Sequence, residues 1–84
     1  MWIDKEVTIN KKKINAKVNL GLDQSEVELP FFSGWDNLGV MKIDKDKYVI
    51  SSAKNVGARD EVISMIIKKE KNDDNKFVES REDS

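Results

Sequence analysis

In "SSAK", Ser51 to Lys54, a lysine follows a serine at a spacing of three, and in "DKDK", Asp44 to Lys47, two carboxylates flank a single residue. The first arrangement can set an amine beside a hydroxyl nucleophile, and the second can offer two oxygens to a hard cation. A third cluster, "NKKK" from Asn10 to Lys13, presents three ammonium groups to any nearby phosphate. These three stand out because the chain has no cysteine and no histidine. Their absence removes disulfides, thiolate nucleophiles, Cys-type zinc sites, and the commonest general base and metal ligand.

None of the three clusters holds up as a catalytic or metal site. The Ser-x-x-Lys spacing is similar to a motif of penicillin-recognising enzymes, but there it opens a helix in a much larger domain with further motifs that this chain lacks. Asp44 and Asp46 resemble the start of an EF-hand loop without its glycine and its closing glutamate, so a polar turn is the better account. The lysine run reads either as a basic finger of the β-ribbon DNA-binding kind or as a solvated hairpin tip that discourages pairing with neighbours, and the second is preferred. Gly34 and Gly39 bracket Trp35 and Asp36 without the spacing of a phosphate loop. The other carboxylates fall at turns, on outer strand faces or in the C-terminal segment, where an acid–base pair with divergent environments is not expected. The chain is therefore expected to be no enzyme, with no metal and no cofactor.

Eighty-four residues make one domain, with hydrophobic residues at 38%, charged residues at 37% and a formal net charge of −1. That balance argues against a partner bound by bulk electrostatics, nucleic acid included, and against an acidic DNA mimic. Arg59 and Arg81 are the sole arginines, and arginine is the preferred residue for bidentate phosphate and guanine contacts. The N-terminus has no apolar stretch of the leader type, and no segment reaches the ~18 apolar residues of a membrane span, so a cytoplasmic location is expected.

The elements that must position these residues are mostly strands. In "KINAKVNLG", Ile14, Ala16, Val18 and Leu20 alternate with Lys13, Asn15, Lys17 and Asn19, the period of a strand with one buried face. Ile3, Val7 and Ile9 form the matching row upstream. A four-residue loop from Asn10 sets Ile9 opposite Ile14 and Glu6 opposite Lys17, because lysine is a poor fit to the positive φ of a two-residue turn. A loop and then a strand follow Gly21, with Val27, Leu29 and Phe31 on one face, and Pro30 should place that strand at an edge or end it. A second hairpin centred on Asp44–Lys47 sets Ile43 opposite Tyr48 and Met41 opposite Ile50. Beyond Gly57, "ARDEVISMIIKKEK" carries an apolar stripe at Ala58, Val62, Met65 and Ile66, widened by Ile63 and Ile67, with acids first and lysines last. Length and charge polarity predict a helix, although the β-branched content leaves a strand open. The expected fold is α+β, a twisted antiparallel sheet of four to five strands, with a partial barrel as an option, and one C-terminal helix, in the order β-β-β-β-β-α. Residues 1–71 form the domain and 72–84 a charged tail.

The remaining feature is aromatic. Phe31, Phe32 and Trp35 are half of the chain's six aromatic residues. Adjacent Phe31 and Phe32 point to opposite sides of an extended strand, and one helix covers one sheet face. Trp2 falls on the outer side of the first hairpin. These side chains therefore form either a second small core or an anchor patch for a partner.

With no catalytic constellation, the function expected is a non-enzymatic protein–protein interaction module, for example a small phage- or mobile-element-encoded inhibitor of a bacterial host machine, of the anti-CRISPR or other anti-defence type. Its anchors would be Trp2, Phe32 and Trp35, rimmed by Asp36, Glu26 and Glu28. One alternative is a small β-barrel-like nucleic-acid binder using Lys11, Lys12, Lys13 and Lys17. Another is a structural or assembly subunit, a homodimer joined through the wide helix stripe at Ile63 and Ile67.

Overall fold

The computed structural model describes residues 1–57 and 62–70. Its elements are β1 (Ile3–Ile9), β2 (Lys12–Asn19), β3 (Ser25–Pro30), one 3₁₀ turn (Trp35–Asn37), β4 (Val40–Ile43), β5 (Asp46–Asn55) and β6 (Val62–Lys69). The strands close into an antiparallel barrel in the order β1-β2-β3-β6-β5-β4 and back to β1. The α+β class with a C-terminal helix is overturned, because the segment read as that helix is a barrel strand. The strand count rises to six and the barrel is closed rather than partial.

The cause lies in the apolar run of residues 62–67, which satisfies two periods at once. Val62, Met65 and Ile66 fit a helix stripe, while Ile63, Met65 and Ile67 fit alternation. In the barrel those last three are each fully buried. β6 pairs with β3 from Ser25–Ile67 to Pro30–Val62 and with β5 from Tyr48–Lys69 to Asn55–Ile63. Long-range ladders on both sides outweigh the local preference, which is weak where β-branched residues dominate. Ile63 and Ile67 point into the barrel, so the helix stripe expected to join a homodimer does not exist. Residues 58–61, the expected first turn, and the charged tail at 72–84 lie outside the described residues.

Both hairpins are tighter than the sequence suggested, and by the same amount. Ile9 pairs with Lys12 and Val7 with Ile14 across a two-residue turn, Asn10–Lys11, with φ of 51° and 69°. Ile43 pairs with Asp46 and Met41 with Tyr48 across Asp44–Lys45, where Asp44 has φ 58°. Asparagine and aspartate tolerate the left-handed region, and lysine follows asparagine into it. A slip of two residues preserves every face, so Val7, Ile9, Ala16 and Val18 are buried as expected although their cross-strand partners differ, while Ile3 and Leu20, expected in the same rows, are exposed at the strand ends. Lys17 accordingly faces Asp4, its Nζ donating to Oδ1 at 3.0 Å, rather than Glu6.

The interior is filled by Val7, Ile9, Ala16, Val18, Val27, Leu29, Met41, Ile43, Tyr48 and the three β6 residues. In β5 the register shifts between Ile50 and Ser52, so that Ile50 faces Ile67 while Ala53 faces Met65. This bulge at Ser51 swaps which residues point inward and adds the local twist that a small closed barrel needs. The barrel is apolar inside and charged outside, the inverse of a membrane-spanning barrel. Among the described residues no helix is long and apolar enough to cross a membrane.

β3 ends and β4 begins at the same end of the barrel but on strands that are not neighbours. Residues 31–39 therefore cross the barrel mouth. Gly34 takes φ 89°, and the Asn37 N–H donates to the Gly34 carbonyl at 3.1 Å, which folds the segment back. Phe32, Trp35 and Leu38 then pack against the core from above. Phe31 stays 50% exposed.

Candidate partner-binding cleft

The backbone groups of a strand point alternately to its two neighbours. In β2 the turn fixes which: Lys12, closing the two-residue turn with Ile9, exchanges its hydrogen bonds with β1, and so do Ile14, Ala16 and Val18. Lys13, Asn15, Lys17 and Asn19 therefore aim their N–H and C=O groups toward β3. The β2–β3 pairs are Lys17–Glu28, Val18–Val27 and Asn19–Glu26, and the ladder stops there. Continued in the same register, Asn15 would meet Pro30, which has no N–H to donate. Pro30 is tolerated because its nitrogen points away from β6, where Leu29 and Ile63 carry the bonding.

Above Lys17 the paired ladder of β2 and β3 is not continued. Beside its end lies a cleft of about 650 Å³ lined by Asp4, Lys5, Asn15, Ala16, Lys17, Glu28, Leu29, Pro30 and Val62. Ala16 and Leu29 belong to the core, whereas Pro30 and Val62 are exposed. The Lys17–Asp4 ion pair and Glu28 edge its lower side. Next to it stand the backbone donors and acceptors of Lys13, past the end of β3, and of Asn15, level with Pro30, whose carbonyl can accept but which has no N–H to donate. An exposed half-strand edge beside an apolar cleft is equipped to hold an extended chain. Acid–base chemistry finds less support: the carboxylates with a cation beside them, Asp4, Asp44, Asp46 and Glu70, stand in solvent-exposed pairs with Lys17, Lys5, Lys69 and Lys47. Among the described residues no group of three or more His, Cys, Asp or Glu is gathered to hold a metal. Ser51 and Lys54 lie on an exposed strand at the bulge, with no helix to align them.

The structure does not bring the sequence-predicted anchors together. Trp2 precedes β1 at the barrel end where the N-terminal ammonium donates to Asn19 Oδ1 at 2.9 Å. Phe32 and Trp35 are at the opposite end, half-buried against the core, with Asp36 exposed beside them. Glu26 belongs to the Trp2 end, where it accepts from Asn19 Nδ2 at 3.3 Å. Glu28 is the one predicted partner residue in the cleft. Of the alternative lysines, Lys17 lines the cleft, Lys13 stands on the free edge, and Lys11 and Lys12 are exposed at the adjoining turn. Sequence reasoning missed Asn15, Ala16, Leu29 and Val62. Pro30 was the available signal, since a proline whose nitrogen faces a neighbouring strand ends that ladder.

A basic row crosses the outer face beside this edge. Lys13 faces Thr8, Thr8 faces Lys42, and Lys42 faces Lys47.

Fold and cleft together define a small closed antiparallel β-barrel with a cleft beside its β2–β3 seam. No protein-family model, curated protein or solved structure matches the chain.

Proposed function

We propose that the chain is a binding module for another protein, and that it takes an extended segment of that partner as an extra strand along the Lys13–Asn15 edge of β2. The observation that carries this is the ladder ending at Lys17–Glu28 beside the cleft. Main-chain hydrogen bonds to Lys13 and Asn15 would supply affinity, and side-chain fit in the cleft would supply selectivity. This differs from aromatic anchoring, because Phe32 and Trp35 serve the barrel mouth. Inhibition of a bacterial host machine by a phage- or mobile-element protein working in the cytoplasm is one form such a module takes, and it rests on size and composition.

The test is capture of a partner by the wild-type chain, by Asn15→Pro and by Trp35→Ala, each checked for its β spectrum. Asn15→Pro removes the N–H that faces the gap and leaves the β1 ladder intact. Loss of one identified partner with Asn15→Pro and its retention with Trp35→Ala supports strand addition. Equal recovery by wild type and Asn15→Pro overturns it. Asn15→Cys, in a chain with no other cysteine, gives a crosslinking handle that must reach the same partner.

The lysine row favours one second reading, a single-stranded nucleic-acid surface over Lys11, Lys12, Lys13 and Lys42. Retention on an oligonucleotide column that falls steeply with salt, with a smaller slope in Lys13→Gln, would establish it.

A further inference from the structure

We infer that the cleft seats an arginine side chain of the partner, its guanidinium on the Glu28 carboxylate and its stem against Pro30 and Val62. This rests on the reading of the chain as a protein-binding module. It is independent of strand addition, because the arginine enters from the outer side of the sheet and takes no place in a ladder.

Strand alternation puts Asp4, Asn15, Lys17, Glu28, Pro30 and Val62 on the outer side, where they line the cleft. Two rows result. Asp4, Lys17 and Glu28 are successive cross-strand partners in β1, β2 and β3. Pro30 faces Val62 in the next outward row, and both are exposed.

Charge decides what enters. The first row holds two carboxylates and one ammonium. Lys17 Nζ donates to Asp4 Oδ1 at 3.0 Å, and the half-buried Glu28 carboxylate has neither an ion pair nor a hydrogen bond among the described residues. If Lys17 turned to Glu28, Asp4 would lose its cation instead. The row is therefore one cation short in either arrangement. Other described cations are engaged or distant. Lys5 is held by Asp44 at 2.9 Å. Lys13 lies four residues along β2 from Lys17, about 13 Å away, and Lys54 lies two strands across from Glu28, about 10 Å away. Glu26 and Glu6, the next outward residues of β3 and β1, are themselves acids.

The surroundings favour arginine over lysine. Two unengaged oxygens on one carboxylate match the parallel N–H groups of a guanidinium. An ammonium is more strongly hydrated and loses more beside Pro30 and Val62.

The probes are N-acetyl-arginine methylamide, its lysine counterpart and its citrulline counterpart, which keeps the shape and loses the charge. Each is titrated into the isotope-labelled full chain, with amide shifts at Lys17, Glu28 and Val62 reporting on the cleft. Saturable shifts are expected with arginine, and binding about tenfold weaker with citrulline. Glu28→Gln should bring arginine down to the citrulline level. Lys17→Gln leaves both carboxylates without a cation and should tighten arginine binding, a gain that no folding defect produces. Equal affinity for arginine and citrulline, or for arginine in wild type and Glu28→Gln, overturns the site and leaves the binding-module reading to its own test. Lysine binding as tightly as arginine overturns the choice of side chain. Arginine binding as expected, with one partner captured equally by wild type and Glu28→Gln, overturns that partner as the source of the arginine while the module reading stands.

Discussion

Lys42 of β4 and Lys47 of β5 are direct cross-strand partners on the outer face of the barrel. Because the Ile43–Asp46 pair closes a two-residue turn, Lys42 and Lys47 occupy the position without mutual hydrogen bonds, where facing side chains approach most closely. Like charges so placed are unfavourable. Lys42→Thr is therefore expected to raise stability by about 0.2–1 kcal/mol, with the larger gain at low ionic strength, where screening is weakest. Denaturant midpoints at two salt concentrations measure this. A gain unchanged by salt would trace it to strand preference instead of charge.

Lys11 occupies the left-handed region at φ 69°, at the second central position of its turn. A side chain there costs about 1–2 kcal/mol relative to the right-handed region, a cost glycine escapes. Lys11→Gly creates Asn-Gly, the favoured sequence for such a turn. The variant should unfold at a higher denaturant concentration than wild type, and a lower midpoint would show that the Lys11 side chain contributes to folding by another route.

Met65 lies at the centre of β6 with no exposed surface, whereas Lys68 on the same strand points out. Met65→Ala should cost about 2–5 kcal/mol, as other buried long-to-small changes do, and Lys68→Ala should cost far less. A chain of this length holds about 4–12 kcal/mol in total, so the first variant is expected to sit near its unfolding threshold at room temperature. Similar costs at the two positions would mean that β6 does not alternate as described.

The faces of β1, β2, β3 and β4 were legible because a period of two survives a two-residue error in register. Pro30 also announced the end of its strand. Other features depend on the whole ring of strands. Ile63, Met65, Ile66 and Ile67 fit either period, and what settles them is the presence of β3 on one side and β5 on the other. The cleft was illegible for a related reason: it is lined by residues of four strands, which successive registers bring together. Phe32 and Trp35 looked unpartnered on a flat sheet, and a closed barrel supplies them with a mouth to fill.

The two tryptophans report on opposite ends of the molecule. Trp35 packs on the core while Trp2 is 43% exposed. Iodide should quench the Trp35→Phe protein, which retains Trp2, more strongly than the Trp2→Phe protein, which retains Trp35. Trp35→Ala should also destabilise the chain by less than the about 3–5 kcal/mol of a fully buried tryptophan, since it is only partly buried. Equal quenching in the two single variants would contradict the packing of the barrel mouth.

The ring is completed between β1 and β4 by Val7–Ile43 and Thr8–Lys42 alone, while β5 and β6 share a ladder running from Tyr48 to Asn55. Parting two strands means breaking their own hydrogen bonds, so β1 and β4, with the shortest ladder, are expected to be the first neighbours to separate. Each bared border then carries a charge, Glu6 on β1 and Lys42 on β4, of the kind that keeps sheet borders from stacking onto a neighbouring molecule.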